Sequence, residues 1–231
     1  MGKARGRLIV VEGPEGAGKS TQLAHLAAWV AARGLSAHLV REPGTSVVGQ
    51  EIRRLVLDPS HSVSPRTEAL LFMAARAELV ASELQPGLQA GRLILADRFF
   101  LSTYAYQIHG RGLPEADVVA ANRFATQGLV PDLTLLLQLD PTAGLERARR
   151  RSSHDRMEQA GSDFHARVAA AFTSFAEPAW QAAHPECGPI VAVPAAGDES
   201  QVFRALLAVL AARWPAMFGE RAATDDRQVV T

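Results

Sequence analysis

Eight residues, Gly13 to Ser20, read GPEGAGKS and fit the spacing G-x-x-x-x-G-K-[ST]. Residues of these types at this spacing can grip a phosphate chain. Glycines let successive backbone N–H groups turn into one concavity. A helix opening at the end of the loop adds the positive end of its dipole. Lys19 brings a compact ammonium to the outer phosphates, where the planar fork of an arginine would be too bulky. That choice is informative here, because the chain has two lysines, Lys3 and Lys19, against 22 arginines. Ser20 offers a hydroxyl to Mg²⁺. The loop Gly13, Pro14, Glu15, Gly16, Ala17, Gly18, Lys19, Ser20 and Thr21 is therefore expected to bind a nucleoside triphosphate. The bland alternative is a glycine-rich turn. Neither an N-K-x-D base reader of a GTPase nor the Ser-Gly-Gly signature of an ABC-type ATPase accompanies it, so other residues must say what the loop serves.

A second group suits an anionic acceptor. ADRFFLSTYAYQ (96–107) begins at the end of an apolar run. Asp97 can hold Mg²⁺ directly or through water, and Arg98 can clamp a phosphate with two parallel bonds. Thr103 and Gln107 fall four apart on one helix face, with Tyr106 beside them. A hydroxyl, an amide and a phenol can read a base edge and close on a sugar. In LLFMAAR (70–76), Phe72 and Arg76 also share a face. The ring can stack on a base while the guanidinium donates to a base carbonyl. REPG (41–44) is a weaker signal, in which Glu42, with Arg53 further on, could reach the same cleft. ERARRRSSHDRME (146–158) holds Arg147, Arg149, Arg150, Arg151 and Arg156. It is either a solvated basic face or a lid whose arginine closes on a transferring phosphoryl group.

These residues need a frame. Apolar runs at 7–13, 36–42, 92–98, 133–140 and 189–194 read as strands. Helical segments are expected at 18–33, 47–57, from an Ser64–Pro65 cap to about Glu83, and at 102–108, 114–127, 142–151, 162–183 and 199–213. Continuous apolar strands separated by helices imply an α/β fold: a parallel sheet covered on both faces. Residues 1–218 are expected to form one domain, and 219–231 a flexible tail.

Composition narrows the class. Lysine plus arginine is 24 and aspartate plus glutamate is 24, so the net charge is zero. A protein that coats nucleic acid needs a positive excess, and none exists. The longest apolar runs, such as Ala205 to Ala212, span about eight residues, against the ~20 of a membrane helix. A single cysteine, Cys187, excludes an internal disulfide and reads as a partly buried thiol. A cytoplasmic enzyme without nucleic-acid or membrane partners is expected.

The ordered set EGPEGAGKST, REPG, LFMAAR, DRFFLSTYAYQ, PDLTLLL and RARRR…DRME, across roughly residues 7 to 185, resembles the bacterial thymidylate kinases. The resemblance implies a P-loop NTPase-type three-layer fold with a five-stranded parallel sheet and a short lid at about 146–158. It implies transfer of the γ-phosphoryl group of ATP to dTMP, with Mg²⁺, in a homodimer. By position it implies that Glu15 lies near the substrate sugar and metal. Phe72 would stack on thymine, Arg76 donate to its O4, and Thr103 contact N3. Tyr106 would exclude a 2′-hydroxyl, and Gln107 line the pocket. Arg98 and Arg53 would face the acceptor phosphate, and Arg151 or Arg149 would be the lid arginine. Three departures stand out: Thr45 where a glycine usually follows REPG, Gln138 where an aspartate is usual, and a short 58–64 segment. Another pyrimidine nucleotide or deoxynucleoside kinase is the alternative reading, and a nucleotide-driven switch a more distant one.

Overall fold

The computed structural model describes residues 4–140, 143–144, 147 and 155–219. Five parallel strands lie in the order β2-β3-β1-β4-β5. They are β1 (Arg7–Glu12), β2 (Ala37–Arg41), β3 (Leu93–Asp97), β4 (Leu133–Gln138) and β5 (Ile190–Pro194). Alternation along each strand sends apolar side chains to both faces. Leu8 and Val10 of β1 face one core, with Ile94 of β3 and Leu136 of β4. Ile9 and Val11 face the other, with Leu95 and Leu135.

Helix α1 (Lys19–Ala31) covers the second face through Leu23, Leu26 and Val30. It is joined there by α9 (Glu199–Arg213), which starts on an Asp198–Gln201 capping box. Over the other face run α2 (Val47–Leu57), α3 (Pro65–Leu79), α4 (Gln85–Gln89), α5 (Phe100–Thr103), α6 (Glu115–Thr126), α7 (Ser162–Ser174) and α8 (Pro178–Ala183). A last short turn, α10 (Pro215–Phe218), returns to the α1 side, where Phe218 stacks on Trp29. No helix among the described residues is long and apolar enough to cross a membrane.

Four segments depart from the sequence reading. The helix opened by Ser64, whose Oγ accepts from the Thr67 N–H at 3.3 Å, does not stop at Glu83. It passes through a π turn (Val80–Leu84) into α4. The shifted ladder lets Pro86 fall at the start of α4, where its missing N–H costs nothing. The segment expected helical at 102–108 is α5 followed by a π-helical stretch, Tyr104–Gly110. The segment 162–183 breaks at Glu177, which is extended because Pro178 follows it. Finally, α10 lies beyond the last helix expected. Most of the segment expected helical at 142–151 lies outside the described residues, as do Arg149, Arg150, Arg151 and the tail from 220.

Strand register delivers the chemistry to one edge. Val11 pairs with Asp97, and Arg41 also pairs with Asp97. The loops after β1, β2 and β3 thus leave the sheet side by side at its carboxyl edge, where doubly wound sheets bind ligands.

Candidate active site

The phosphate loop leaves β1 at Gly13 and enters α1 at Lys19. Gly16 and Gly18 hold φ of 74° and 85°, where a side chain is strained. A Cβ at Gly16 would also lie 2.2 Å from the Gly144 carbonyl oxygen. The N-cap of α1 is Gly18, which has no side chain to cap it, so among the described residues the first N–H groups are left to serve an anion. Lys19 is buried, and its Nζ donates to the carbonyls of Gly13 at 2.9 Å and Pro14 at 2.7 Å. Burial, aided by the positive charge of Arg98, lowers its pKa to about 7.

Opposite the loop, Asp97 Oδ2 accepts from Ser20 Oγ at 2.6 Å. Arg98 follows with φ of 72°, a strained conformation for a residue with a side chain. Its N–H donates to the Val11 carbonyl at 3.1 Å, and its NH1 to Ser102 Oγ at 2.7 Å. Glu12, the last residue of β1, holds this corner. Glu12 Oε1 accepts from the N–H groups of Phe99 at 2.6 Å and Ser102 at 3.0 Å, and Oε2 from Ser102 Oγ at 2.7 Å. The Tyr106 hydroxyl donates to Glu15 Oε1 at 3.2 Å, and burial pushes its pKa up, keeping it a neutral phenol.

The turn after β2 completes the rim. Thr45 Oγ1 accepts from the Arg41 N–H at 2.7 Å and donates back to its carbonyl at 3.1 Å. The hydroxyl closes the turn that a second glycine would otherwise shape. Arg53 reaches in from α2 and donates to the Pro43 carbonyl at 3.1 Å. Burial first, then the charges of Arg41 and Arg98, lower its pKa. Three guanidinium groups converging on one spot favour an anion between them. Gln138 lies exposed at the end of β4, and nothing in the structure explains its difference from aspartate.

A single cleft of about 240 Å³ joins these groups to the base-reading candidates. Glu15, Lys19, Ser20, Glu42, Arg53, Phe72, Arg76, Asp97, Arg98, Thr103, Tyr106 and Gln107 all line it. Arg76 is 2% exposed. Its Nε donates to Glu42 Oε1 at 2.6 Å, its NH2 to the Phe99 carbonyl at 2.8 Å, and its NH1 to Asn122 Oδ1. NH2 also ion-pairs with Glu42 Oε1. Four of the five N–H groups are therefore committed, and one on NH1 remains to donate. Glu42, expected to touch substrate, lines the cleft and accepts from Arg76 through Oε1. Its Oε2 is buried with no partner among the described residues, and burial raises its pKa.

Arg156 belongs to the basic run read as a solvated face or a lid, and its guanidinium is turned inward, onto Glu68 Oε2 at 2.6 Å and the Val56 carbonyl at 2.8 Å. Glu12, Glu68, Asn122 and Arg111 escaped the sequence reading altogether. A carboxylate ending the apolar run LIVV was the available signal for Glu12; Glu68, Asn122 and Arg111 gave none.

The thymidylate kinase family model matches residues 11–183. The chain belongs to the thymidylate kinase family. It is 46% identical to a thymidylate kinase of Deinococcus radiodurans, over 75% of this chain and 84% of that protein. A thymidylate kinase of Carboxydothermus hydrogenoformans is 41% identical, over 74% and 85% of the two chains. One from Chromobacterium violaceum is 45% identical, over 77% and 84%. Matched residues run from the end of β1 through α8 and so contain every element that contributes to the cleft.

Proposed function

We propose that this enzyme transfers the γ-phosphoryl group of ATP to dTMP, giving dTDP and ADP. The observation that carries the reading is the continuity of one cleft. Its walls combine the phosphate loop, the arginines Arg98 and Arg53, and the ring, guanidinium and amide of Phe72, Arg76 and Gln107. A nucleoside kinase would have no use for arginines aimed at an acceptor phosphate.

The acceptor is a phosphate oxygen already ionised at neutral pH, so no strong base is needed. That oxygen forms a bond to the γ-phosphorus while the β–γ bridging bond breaks and its electron pair leaves with ADP. Lys19 and the amides opening α1 hold the donor phosphates, and Arg98 and Arg53 hold the acceptor phosphate in line. Glu15 and Tyr106 lie beside the sugar. Phe72 and Arg76 hold the base, with Thr103 and Gln107 along its edge. Ser20 Oγ and Asp97 Oδ2 are hard oxygens 2.6 Å apart, a donor pair suited to Mg²⁺ with phosphates and waters as its other ligands. Bound there, Mg²⁺ would neutralise charge on the donor phosphates. A lid arginine, Arg151 or Arg149, completes the neutralisation, and Arg151→Ala should lower kcat by about 10³-fold.

Large apolar side chains are exposed on three adjoining helices: Leu55 on α2, Leu70 on α3 and Phe124 on α6, the last two 62% and 86% exposed. With zero net charge to oppose self-association, this layer supports a homodimer. We place the enzyme in the cytoplasm, where ATP and deoxynucleotides are made and used.

The test is ADP release measured against dTMP, dUMP, dCMP, dAMP, dGMP and thymidine. Stimulation greatest with dTMP is expected. Stimulation greatest with thymidine or a purine nucleotide would overturn the reading.

A further inference from the structure

Glu68 lies on α3, one turn before Phe72, is fully buried, and does not line the cleft. Four bonds converge on its carboxylate. Oε1 accepts from Gln107 Nε2 at 3.1 Å and Arg111 Nε at 3.0 Å. Oε2 accepts from Arg111 NH2 at 2.9 Å and Arg156 NH2 at 2.6 Å. An ionised carboxylate only accepts. The amide of Gln107 must therefore turn its NH2 end to Glu68. The opposite end, Oε1, accepts no hydrogen bond from any described residue, on a side chain that lines the cleft.

We propose that Glu68 is a positioning residue that sets base specificity by fixing which end of the Gln107 amide faces the base. The inference rests on the proposed dTMP reading. With Glu68 in place, the pocket offers a donor from Arg76 and an acceptor from Gln107, beside the Thr103 hydroxyl, which can donate or accept and so does not itself choose between bases. Thymine presents the complement, a carbonyl at C4 and an N–H at N3. Cytosine presents the reverse, an amino group at C4 and a bare nitrogen at N3. Paired against cytosine, donor would meet donor and acceptor would meet acceptor. Sites that must leave buried polar groups unpaired discriminate far more strongly than sites that differ by a methyl group.

The same carboxylate ties down the rim. Arg156 hangs from Glu68 while its Nε and backbone N–H donate to the carbonyls of Val56, at 2.8 Å, and Leu57, at 2.9 Å. This hook fixes residues 155–158 against the end of α2, and Leu57, Asp155 and Met157 thereby form cleft wall. Glu68 thus bonds to Gln107 and Arg156, which carry two sides of the pocket.

The experiment compares kcat/KM for dTMP and dCMP in wild type and Glu68→Gln. A neutral amide at 68 can donate as well as accept, so both orientations of Gln107 find a partner. The dTMP-to-dCMP ratio is expected to fall by about tenfold or more, with KM for ATP within about twofold of wild type. If Glu68→Gln does not fold, Glu68→Asp serves, because it keeps a negative charge beside Arg111 and Arg156 and shortens its reach, breaking the contact with Gln107. A folded variant with the wild-type ratio overturns the proposal, as does an equal loss toward both acceptors. If wild type itself prefers an acceptor other than dTMP, the functional reading has failed instead.

Discussion

Replacing Glu12 with glutamine removes one charge from a fully buried corner and changes almost no volume. The carboxylate accepts two backbone N–H groups, from Phe99 and Ser102, and the Ser102 hydroxyl. If the new carbonyl occupies the Oε1 place, both backbone bonds survive without their charge, at a loss of about 1 kcal/mol each. The new NH2 then faces Ser102 Oγ, which already accepts from Arg98 NH1 at 2.7 Å. The Ser102 proton loses its acceptor, at a further cost of about 1 kcal/mol. A total near 3 kcal/mol should lower Tm by about 6–12 °C in a chain of this size. Function should fall as well, because Arg98 loses the serine that aims it. A displacement near 1 Å at a positioning group costs up to about 10²-fold, so kcat/KM for dTMP should drop by about 10- to 100-fold. Calorimetry and steady-state kinetics on Glu12→Gln measure both effects. A Tm loss below about 2 °C together with unchanged kcat/KM would refute the reasoning, since it would mean that the corner holds its shape without the charge.

Three more outcomes follow from the same geometry. Lys19, with its pKa lowered to about 7, is mostly neutral above that pH in the free enzyme, whereas a bound triphosphate favours the charged form. ATP binding should therefore take up close to one proton at about pH 8.5 and weaken as pH rises, measured as binding heats in buffers of different ionisation enthalpy; zero uptake would contradict it. Arg76→Met strands the buried Glu42 carboxylate and should cost about 3–5 kcal/mol in urea denaturation. The double variant with Glu42→Gln should recover part of that loss without restoring dTMP binding, and a double variant less stable than the single one would count against the pairing. Phe124→Glu should abolish the proposed self-association in sedimentation, whereas a dimer mass unchanged by the substitution would place the interface elsewhere.

The parts of the site legible in the sequence are those whose signal is local. The phosphate loop is contiguous. The strands announce themselves as apolar runs, and the Ser64–Pro65 cap is written in two adjacent residues. Phe72 with Arg76 and Thr103 with Gln107 are pairs at helical spacing, and the structure brings all four into one cleft. What escaped depends on partners far along the chain. Glu12 bonds to residues 87 and 90 positions away, and Glu68 to residues 39, 43 and 88 positions away. Nothing near Glu68 in sequence distinguishes it from an ordinary first-turn carboxylate favoured by a helix dipole. A run of arginines reads as one basic face, and only the fold shows that Arg156 turns inward onto Glu68.

That separation bears on how the enzyme is organised. Among the described residues, the arginines proposed to meet substrate are held by neutral or acidic partners that stay behind. Arg98 is aimed by Ser102, and Ser102 by Glu12; Arg76 is clamped by Glu42, Asn122 and a backbone carbonyl. Buried carboxylates offset buried guanidinium charge before any substrate arrives, so the cleft can gather arginines without repelling itself apart. Preorganised charge of this kind needs no rearrangement at the moment of transfer. It follows that the supporting carboxylates should matter to catalysis nearly as much as the arginines they hold, although none of Glu12, Glu42 and Glu68 needs to touch the phosphoryl group.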